Sequence, residues 1–250
     1  MIKKLNLVIL FIFLTYSAFC QNKSVDSLTN NTNIRFKYEA LIIPTALIGY
    51  GIVGLESHTL IAINSDTQTE INEHIDEKVS IDDFSQYGAF LSVYALNTAG
   101  IKGKNSFKDR TIILASAYLI MGTTVNIIKK TGNEVRPDGT SNNSFPSGHT
   151  ATAFMGAELL YQEYKDKSVW YGISGYLVAA GTGFFRMYND RHWFNDITAG
   201  AGIGILSTKI AYWIHPLIKK TIFKNKENMN AMIMPVFNGK QYGLRMSMAF

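Results

Sequence analysis

Several features that define other protein classes are scarce in this 250-residue sequence. It contains a single cysteine, Cys20, which excludes an internal disulfide framework and a cysteine-rich zinc site. Charged residues make up only 17% of the chain and hydrophobic residues 47%, a balance that excludes an intrinsically disordered protein. The net charge is +5, but the basic residues are scattered and form no long run or nucleic-acid-binding motif. We therefore expect a folded protein that does not bind nucleic acid.

The first twenty residues have the three-part pattern of a secretory signal peptide. Two lysines give a basic start, an uncharged apolar run extends over 5–19, and the chain becomes polar from Gln21. We expect cleavage after Cys20, so that residues 1–20 are a signal peptide and residues 21–38 a flexible leader. An uncleaved membrane anchor and a lipoprotein with Cys20 as its first residue are the alternatives.

The middle of the chain alternates apolar segments with short polar loops. Gly, Ala and Ser recur within the apolar segments, and small residues let helices approach closely, in membranes especially. The pattern predicts a bundle of about six helices, over residues 41–55, 84–99, 111–128, 150–162, 169–185 and 197–214. Between the first two segments, residues 60–83 are polar and carry one narrow apolar stripe of Ile61, Ile71, Ile75 and Val79.

The sequence leaves open whether these helices span a membrane. Residues 111–128 and 197–214 come close to the roughly 20 apolar residues that a span requires. Basic loops at 102–110 and 219–226 are typical of the cytoplasmic side, which places loop 129–149 outside. Counting three spans from an exported N-terminus places that same loop inside. A membrane-spanning bundle and a soluble or peripheral one are therefore both compatible with the pattern.

The last segment, residues 221–250, differs from the rest of the chain. It contains Asn238-Gly239 between two apolar runs, a strong signal for a β-hairpin. We expect a short hairpin-like tail packed on the helical bundle.

Three clusters of polar residues, each at the end of an apolar segment, carry the chemistry of this sequence. They extend over 129–137, 146–150 and 186–196. Their cations are costly next to apolar helices unless a partner neutralises them. One solution is pairing with the nearby acids Glu134, Asp138, Asp190 and Asp196. The other solution is a bound anion such as phosphate, which suits the planar fork of Arg136 and Arg186 and the point charge of Lys129.

The same clusters supply groups for binding an anion and for attacking it. Ser147 and Gly148 precede a predicted helix, whose free backbone N–H groups favour an anion, and glycine allows close approach. His192 and Asp196 are four residues apart and share a face if they lie on a helix. The carboxylate can then hold one imidazole nitrogen and leave the other free to attack. His149, from a different loop, can act as a separate proton donor.

Each of these features has a simpler interpretation when taken alone. A Pro-Ser-Gly-His turn is usually an ordinary helix cap, and a His–Asp pair is usually a surface pair. His192 and Asp196 could also ligate zinc, but no third ligand appears at close spacing, and three surrounding cations would repel a metal ion. We therefore expect no metal.

Taken in order, however, Lys-x6-Arg-Pro, Pro-Ser-Gly-His and Arg-x5-His-x3-Asp resemble the signature of the type 2 phosphatidic acid phosphatase (PAP2)/vanadium haloperoxidase superfamily. The motifs span 129–196, and the helical pattern resembles the family over roughly 40–215. The resemblance implies an all-α fold, a six-helix PAP2-type bundle over 39–220 followed by the tail at 221–250. In one departure, Phe185 stands where members commonly have a serine.

The resemblance also implies a reaction, the metal-independent hydrolysis of a phosphate ester. His192 would attack phosphorus and form a phosphohistidine, Asp196 would orient His192, and His149 would protonate the leaving oxygen. The phosphoryl oxygens would be bound by Lys129, Arg136, Ser147, Gly148 and Arg186. No cofactor is implied, and vanadate would bind only as a mimic of phosphate.

The leading hypothesis is an exported phosphatase of the cell envelope that acts outside the cytoplasm. The apolar bundle favours a lipid phosphate or pyrophosphate as substrate, in the class of phosphatidic acid, phosphatidylglycerol phosphate, undecaprenyl pyrophosphate or lipid A. The signal peptide favours the alternative of a soluble periplasmic acid phosphatase that hydrolyses small phosphate esters. A haloperoxidase is disfavoured by the length of the chain, and a non-catalytic phosphate- or lipid-binding protein by the presence of all the reactive residues.

Overall fold

The computed structural model describes residues 38–73, 78–223, 230–237 and 242–249. The signal peptide predicted at 1–20 and nearly all of the leader predicted at 21–38 lie outside the described residues. The limits of these segments and of the phosphatase domain at 39–220 stay predictions.

Seven helices precede the C-terminal strands in the described part of the chain. They are α1 (Glu39–Val53), α2 (His58–Asn72), α3 (Asp82–Thr98), α4 (Phe107–Thr131), α5 (Gly148–Tyr164), α6 (Val169–Tyr188) and α7 (Phe194–Phe223). The all-helical bundle predicted from the sequence is confirmed. The predicted count of six helices was one too low, because α2 lies in the polar stretch at 60–83.

The packing of α2 explains why the apolar pattern missed this helix. Its buried side chains are the polar Asn64 and Gln68, whereas Ile61 is 45% exposed. Nε2 of Gln68 donates hydrogen bonds to the backbone oxygen of Met187 at 2.9 Å and to Oδ1 of Asp190 at 2.6 Å. A helix whose buried contacts include amide hydrogen bonds leaves only a weak apolar period in the sequence.

The central helix α5 fixes the geometry of the bundle. Most of its side chains are buried, and it packs against α3, α6 and α7. Glycines on α7 permit the close approach, because a Cβ on Gly200 would lie 2.5 Å from the backbone oxygen of Ser147. A Cβ on Gly204 would likewise collide with the backbone oxygen of Ala151. The first turns of α5 and α7 therefore lie side by side.

Two helices are long and apolar enough to cross a membrane, Phe107–Thr131 and Phe194–Thr221. They coincide with the two segments that the sequence favoured as spans. α1 and α2 together meet the same criterion but are bent by 92° at the break between them. α4 keeps most of its apolar surface outside the bundle, with Leu119 70% exposed and Tyr118 and Ile127 also exposed.

The C-terminal tail contains two antiparallel strands, β1 (Asn230–Phe237) and β2 (Tyr242–Ala249). Their register runs from Asn230 opposite Ala249 to Phe237 opposite Tyr242. The strands pair as the predicted hairpin requires. The Asn238-Gly239 turn itself lies outside the described residues.

Candidate active site

The three polar clusters meet where α4 and α6 end and α5 and α7 begin. Lys129 lies in the last turn of α4, and Arg186 lies in the last turn of α6. Ser147 caps α5, since its Oγ accepts a hydrogen bond from the backbone N–H of Thr150 at 3.4 Å. The backbone N–H of Ser147 donates to the backbone oxygen of Asp196 at 3.0 Å, which ties the second cluster to the third.

His192 and Asp196 form a buried pair at the start of α7. Nδ1 of His192 lies 3.4 Å from Oδ2 of Asp196, and both side chains are almost completely buried. His192 precedes the helix, so the two residues do not share a helical face as the spacing suggested. Instead, Oδ2 of Asp196 reaches back and accepts a hydrogen bond from the backbone N–H of Trp193 at 2.9 Å, as in one half of a capping box.

A third residue, Ser144, contacts this pair and was missed by sequence reasoning. Its hydroxyl donates a short hydrogen bond to Oδ2 of Asp196 and lies 3.4 Å from Nδ1 of His192. The contact holds the carboxylate in place beneath the imidazole. Ser144 lies two residues before Pro146 in the loop between α4 and α5, where the sequence gives no periodic or motif signal.

The surroundings of His192 favour its neutral form. Burial, together with the nearby cations Lys129 and Arg186, lowers the pKa of His192 to about 4 against the opposing effect of Asp196. A neutral imidazole that presents its Nδ1 side to a carboxylate has its lone pair on Nε2. At neutral pH His192 therefore has the electronic form of a nucleophile.

A cleft of about 330 Å³ is lined by Arg136, Arg186 and His149, whereas His192 and Asp196 are not among the described residues that line it. The Nε–H groups of Arg136 and Arg186 are both buried, and neither has a hydrogen-bond partner within the part of the chain that the structure describes. Buried guanidinium donors without acceptors are costly unless a ligand supplies the acceptors. The cleft is therefore prepared for an anion with several oxygen atoms, such as a phosphoryl group.

Two acids at the start of α3, Asp82 and Asp83, complete the cleft and were missed by sequence reasoning. Nη1 of Arg186 lies 2.5 Å from Oδ2 of Asp82 and 3.6 Å from Oδ1 of Asp83. Nε2 of His149 lies 3.0 Å from Oδ1 of Asp83. A signal was present, since these adjacent acids are the only charged residues of α3, at the end nearest the second motif in the fold.

The acids that the sequence suggested as partners of Lys129, Arg136 and Arg186 make other contacts in the structure. Arg191 donates to Oδ2 of Asp138 at 3.1 Å, and Lys78 lies 4.0 Å from Asp190 at the rim of the cleft. Glu134 is drawn towards its neutral form, because burial and then the charge of Asp196 raise the pKa of Glu134. Arg186 takes its nearest salt bridge from Asp82 rather than from any of these acids.

Three of the predicted phosphate-binding residues lie next to the cleft without lining it. Nζ of Lys129 donates to the backbone oxygens of Asn143 and Ser144, the second at 3.2 Å, and so ties down the loop that carries Ser144. Ser147 is fully buried as the cap of α5. A Cβ on Gly148 would meet nothing closer than Cγ1 of Val125 at 3.8 Å, so protein packing does not demand glycine there.

Phe185, the departure from the family signature, does not face the cleft. Its ring packs against the rings of Phe184 and Tyr188, each with a centroid distance of 5.8 Å. Within the described ranges, no three His, Cys, Asp or Glu side chains come together as a metal-binding group. The site is thus built from cations, two histidines and their carboxylate partners.

The family profile described as the PAP2 superfamily matches residues 110–220, which contain all eight predicted site residues. This part of the chain therefore resembles the PAP2 superfamily. The profile begins at Arg110 in α4, so Asp82 and Asp83 lie outside the matched part of the chain.

Two curated proteins are similar to this chain. It is 37% identical over 171 residues to the lipid A 1-phosphatase of Porphyromonas gingivalis, a match that covers 65% of this chain and 38% of that protein. It is 31% identical over 103 residues to the bacitracin transport permease protein BcrC of Bacillus licheniformis, covering 41% of this chain and 46% of that protein. The chain thus spans less than half the length of either relative.

Among solved structures, the crystal structure of Aquifex aeolicus LpxE is similar with a TM-score of 0.46 and 24% identity. The match covers 60% of this chain and 94% of that one.

Proposed function

We propose that this protein is a phosphatase that hydrolyses a phosphate monoester or pyrophosphate through a phosphohistidine on His192. The observation that carries the proposal is the meeting of a buried neutral imidazole with two buried guanidinium N–H groups that lack acceptors. The imidazole supplies a nucleophile. The guanidinium N–H groups supply donors for the oxygens of the phosphoryl group that the imidazole attacks.

In the first step, Nε2 of His192 attacks phosphorus while the bond between phosphorus and the leaving oxygen breaks. Asp196, held by Ser144 and the backbone of Trp193, stabilises the positive charge that develops on the imidazole. His149 donates a proton to the leaving oxygen. In the second step, His149 takes a proton from a water molecule, and the resulting hydroxide attacks phosphorus and releases inorganic phosphate from His192.

The charge that builds up on the phosphoryl oxygens is met by the protein itself. The guanidinium groups of Arg136 and Arg186 face the cleft, and Lys129 lies close enough to His192 to affect its pKa. The start of α5 adds the dipole of a helix N-terminus and, at Gly148, a backbone position without a side chain. We propose that these groups supply the charge stabilisation that a metal ion supplies in other phosphatases.

We further propose that the substrate is a phosphorylated lipid. The bare apolar surface of α4 and the length of α7 suit a protein in a membrane, where lipid phosphates reside. The relatives include a lipid A 1-phosphatase, which supports the lipid A class first, with phosphatidic acid, phosphatidylglycerol phosphate and undecaprenyl pyrophosphate as the other candidates. On this proposal the chain is exported to the cell envelope, and its cleft faces away from the cytoplasm.

Phosphate release by the purified full-length protein in detergent tests the proposal. The assay contains EDTA and compares the lipid A class, phosphatidic acid and undecaprenyl pyrophosphate with para-nitrophenyl phosphate. We expect release from lipids, inhibition by vanadate, and little turnover of the small ester. Strong turnover of the small ester alone would favour the soluble acid phosphatase instead. No phosphate release from any substrate, with wild type indistinguishable from His192→Ala, would contradict the proposed activity.

A further inference from the structure

A second cavity, of about 360 Å³, lies on the other side of the catalytic residues. Its walls come from the bend between α1 and α2, from α2 itself, and from the residues that flank the catalytic motifs. The two cavities share no lining residue among those that the structure describes. Val135 lines the second cavity and its neighbour Arg136 lines the cleft, so a single extended segment separates the two.

Two buried amides in this wall have unused acceptors. Asn64 on α2 is 6% exposed and Asn195 on α7 is 2% exposed, and both line the cavity. Oδ1 of each is buried and has no hydrogen-bond donor among the described residues. Buried polar atoms in folded proteins are nearly always paired, so two orphans around one cavity point to a ligand that pairs with them.

Asn195 is held in this position by the close packing of α1. A Cβ on Gly54, at the end of α1, would lie 2.8 Å from Cβ of Asn195. The backbone oxygen of Asn195 accepts a hydrogen bond from Oγ1 of Thr198 at 2.9 Å. The backbone and Cβ of Asn195 are therefore fixed next to α1 at the wall of the cavity.

Trp193 gives the cavity a rigid aromatic wall. Its indole Nε1–H donates to the backbone oxygen of Val135 at 2.8 Å, and its backbone N–H donates to Asp196 at 2.9 Å. The ring is thus anchored at both ends. A ligand that packs on this ring contacts the residue that directly follows His192 in the chain.

The lining selects against a charged ligand. Glu134 is the only ionisable residue that lines the cavity in the described part of the chain, so this lining offers no cation to a phosphate. Apart from the polar Asn64, Ser65 and Asn195, the other lining residues are apolar or aromatic, including Leu55 and Ile61. A mixed lining of this kind suits a largely apolar body with a few polar groups.

We propose that this cavity binds an uncharged, hydroxyl-bearing group, as found in the sugar or the glycerol of a lipid headgroup. A hydroxyl group both donates and accepts hydrogen bonds, so it satisfies Asn64 and Asn195 whichever way each amide is turned. The C–H face of a sugar ring can pack on the indole of Trp193. The cleft then binds the phosphoryl group while the second cavity binds a neutral part of a lipid headgroup.

Binding of methyl β-glucoside to the full-length protein in detergent tests this site, because binding needs no turnover. Saturation-transfer NMR detects the contact at millimolar ligand. The fluorescence of Trp193 locates it once the other two tryptophans are replaced in a Trp170→Phe/Trp213→Phe variant. We expect saturable binding of methyl β-glucoside, and none of its permethylated form, which keeps the ring but has no hydroxyl donor. Glycerol as a second probe distinguishes a polyol site from one that requires a sugar ring.

Two substitutions assign the binding to the cavity. Asn64→Ala removes one hydrogen-bonding group and should weaken binding about five-fold. Ile61→Trp fills the mouth and should abolish binding. The matched control is Asn126→Ala, an exposed asparagine on α4 that should bind as wild type does. Vanadate binding at the cleft, retained in each variant, shows that the fold is intact.

The site is overturned if methyl β-glucoside shows no saturable binding, or if the Asn64→Ala and Ile61→Trp variants bind it as tightly as Asn126→Ala does. A water-filled cavity gives the first result, and binding elsewhere on the protein gives the second. Neither result depends on phosphatase activity, so failure of this site and failure of the proposed function are separate observations.

Discussion

Nε2 of His149 lies 3.0 Å from Oδ1 of Asp83, so the proposed general acid has a carboxylate partner on a different helix. Burial lowers the pKa of His149, as does the charge of Arg186, whereas Asp83 raises it. The net pKa of His149 lies below its ordinary value, and Asp83 offsets part of the lowering and so favours the protonated form that a general acid requires. This relationship makes the pH dependence of turnover a test of the site.

Replacing Asp83 with asparagine should move the alkaline limb of the pH–rate profile to lower pH. Without the carboxylate, the pKa of His149 falls further, and the imidazole loses its proton at a lower pH than in wild type. The measurement is kcat/KM against pH for a lipid substrate. An alkaline limb at the same pH in both proteins would show that Asp83 does not support the acid.

His149→Ala should separate substrates by their leaving groups. A poor alkoxide leaving group needs the proton that His149 supplies, and loss of a general acid costs about 10²- to 10⁴-fold. A nitrophenolate leaving group needs no such proton, so the loss on para-nitrophenyl phosphate should be much smaller. Kinetic constants for both substrates check this. Equal losses on the two would contradict the acid role of His149.

Asp82→Asn should destabilise the free protein and make it depend on an anion. The Arg186 guanidinium lies 2.5 Å from the Asp82 carboxylate, and both side chains are nearly buried. Removal of Asp82 leaves the buried guanidinium with only the more distant and exposed carboxylate of Asp83, at a cost of about 3 kcal/mol in the free energy of unfolding. Thermal melting with and without vanadate is the measurement, and vanadate should restore more stability to this variant than to wild type.

The matched control is Asp166→Asn, which removes an exposed acid just after the C-terminal end of α5, the end opposite to the site. It should melt as wild type does, with the same response to vanadate. If Asp82→Asn behaves like this control, Arg186 does not depend on Asp82 for its charge balance.

Acidification should destabilise the protein partly through His192. The pKa of His192 in the folded protein is about 4, below the ordinary value of 6.5, so between these two pH values His192 binds a proton in the unfolded chain but not in the folded one. The contribution of His192 to stability is therefore fully present above about pH 6.5 and is lost as the pH drops towards 4. The melting temperature of wild type and His192→Gln at about pH 7 and about pH 5 isolates this contribution. The variant should lose less stability than wild type over that interval.

The sequence predicted the helical class and the chemistry of the motifs better than it predicted their partners. Arg186, His192 and Asp196 carry recognisable chemistry at fixed spacing, so local pattern was enough to find them. Asp82 and Asp83 act across a bundle, more than one hundred residues before Arg186, and no spacing rule links residues so far apart. α2 was missed for a related reason, since its buried face carries Asn64 and Gln68 rather than a strong apolar stripe.

The close approach of α5 and α7 could be anticipated only in part. The repeated glycines of 200–204 indicate close helix packing, but not that Gly200 would face Ser147 and so bring the second and third motifs together. Likewise, the loop residue Ser144 has no sequence signal, yet it bonds to Asp196. Such pairings depend on tertiary packing, which local sequence does not encode by itself.

Trapping the phosphorylated enzyme tests the central claim most directly. Wild type, His149→Ala and His192→Ala are mixed with a ³²P-labelled phosphate ester, denatured within the first turnover, and assayed for protein-bound label. We expect a label that is stable to base and labile to acid, as a phosphohistidine is, in wild type and in His149→Ala but not in His192→Ala. Label of the same kind in His192→Ala, or turnover by wild type without any label, would contradict a covalent intermediate on His192.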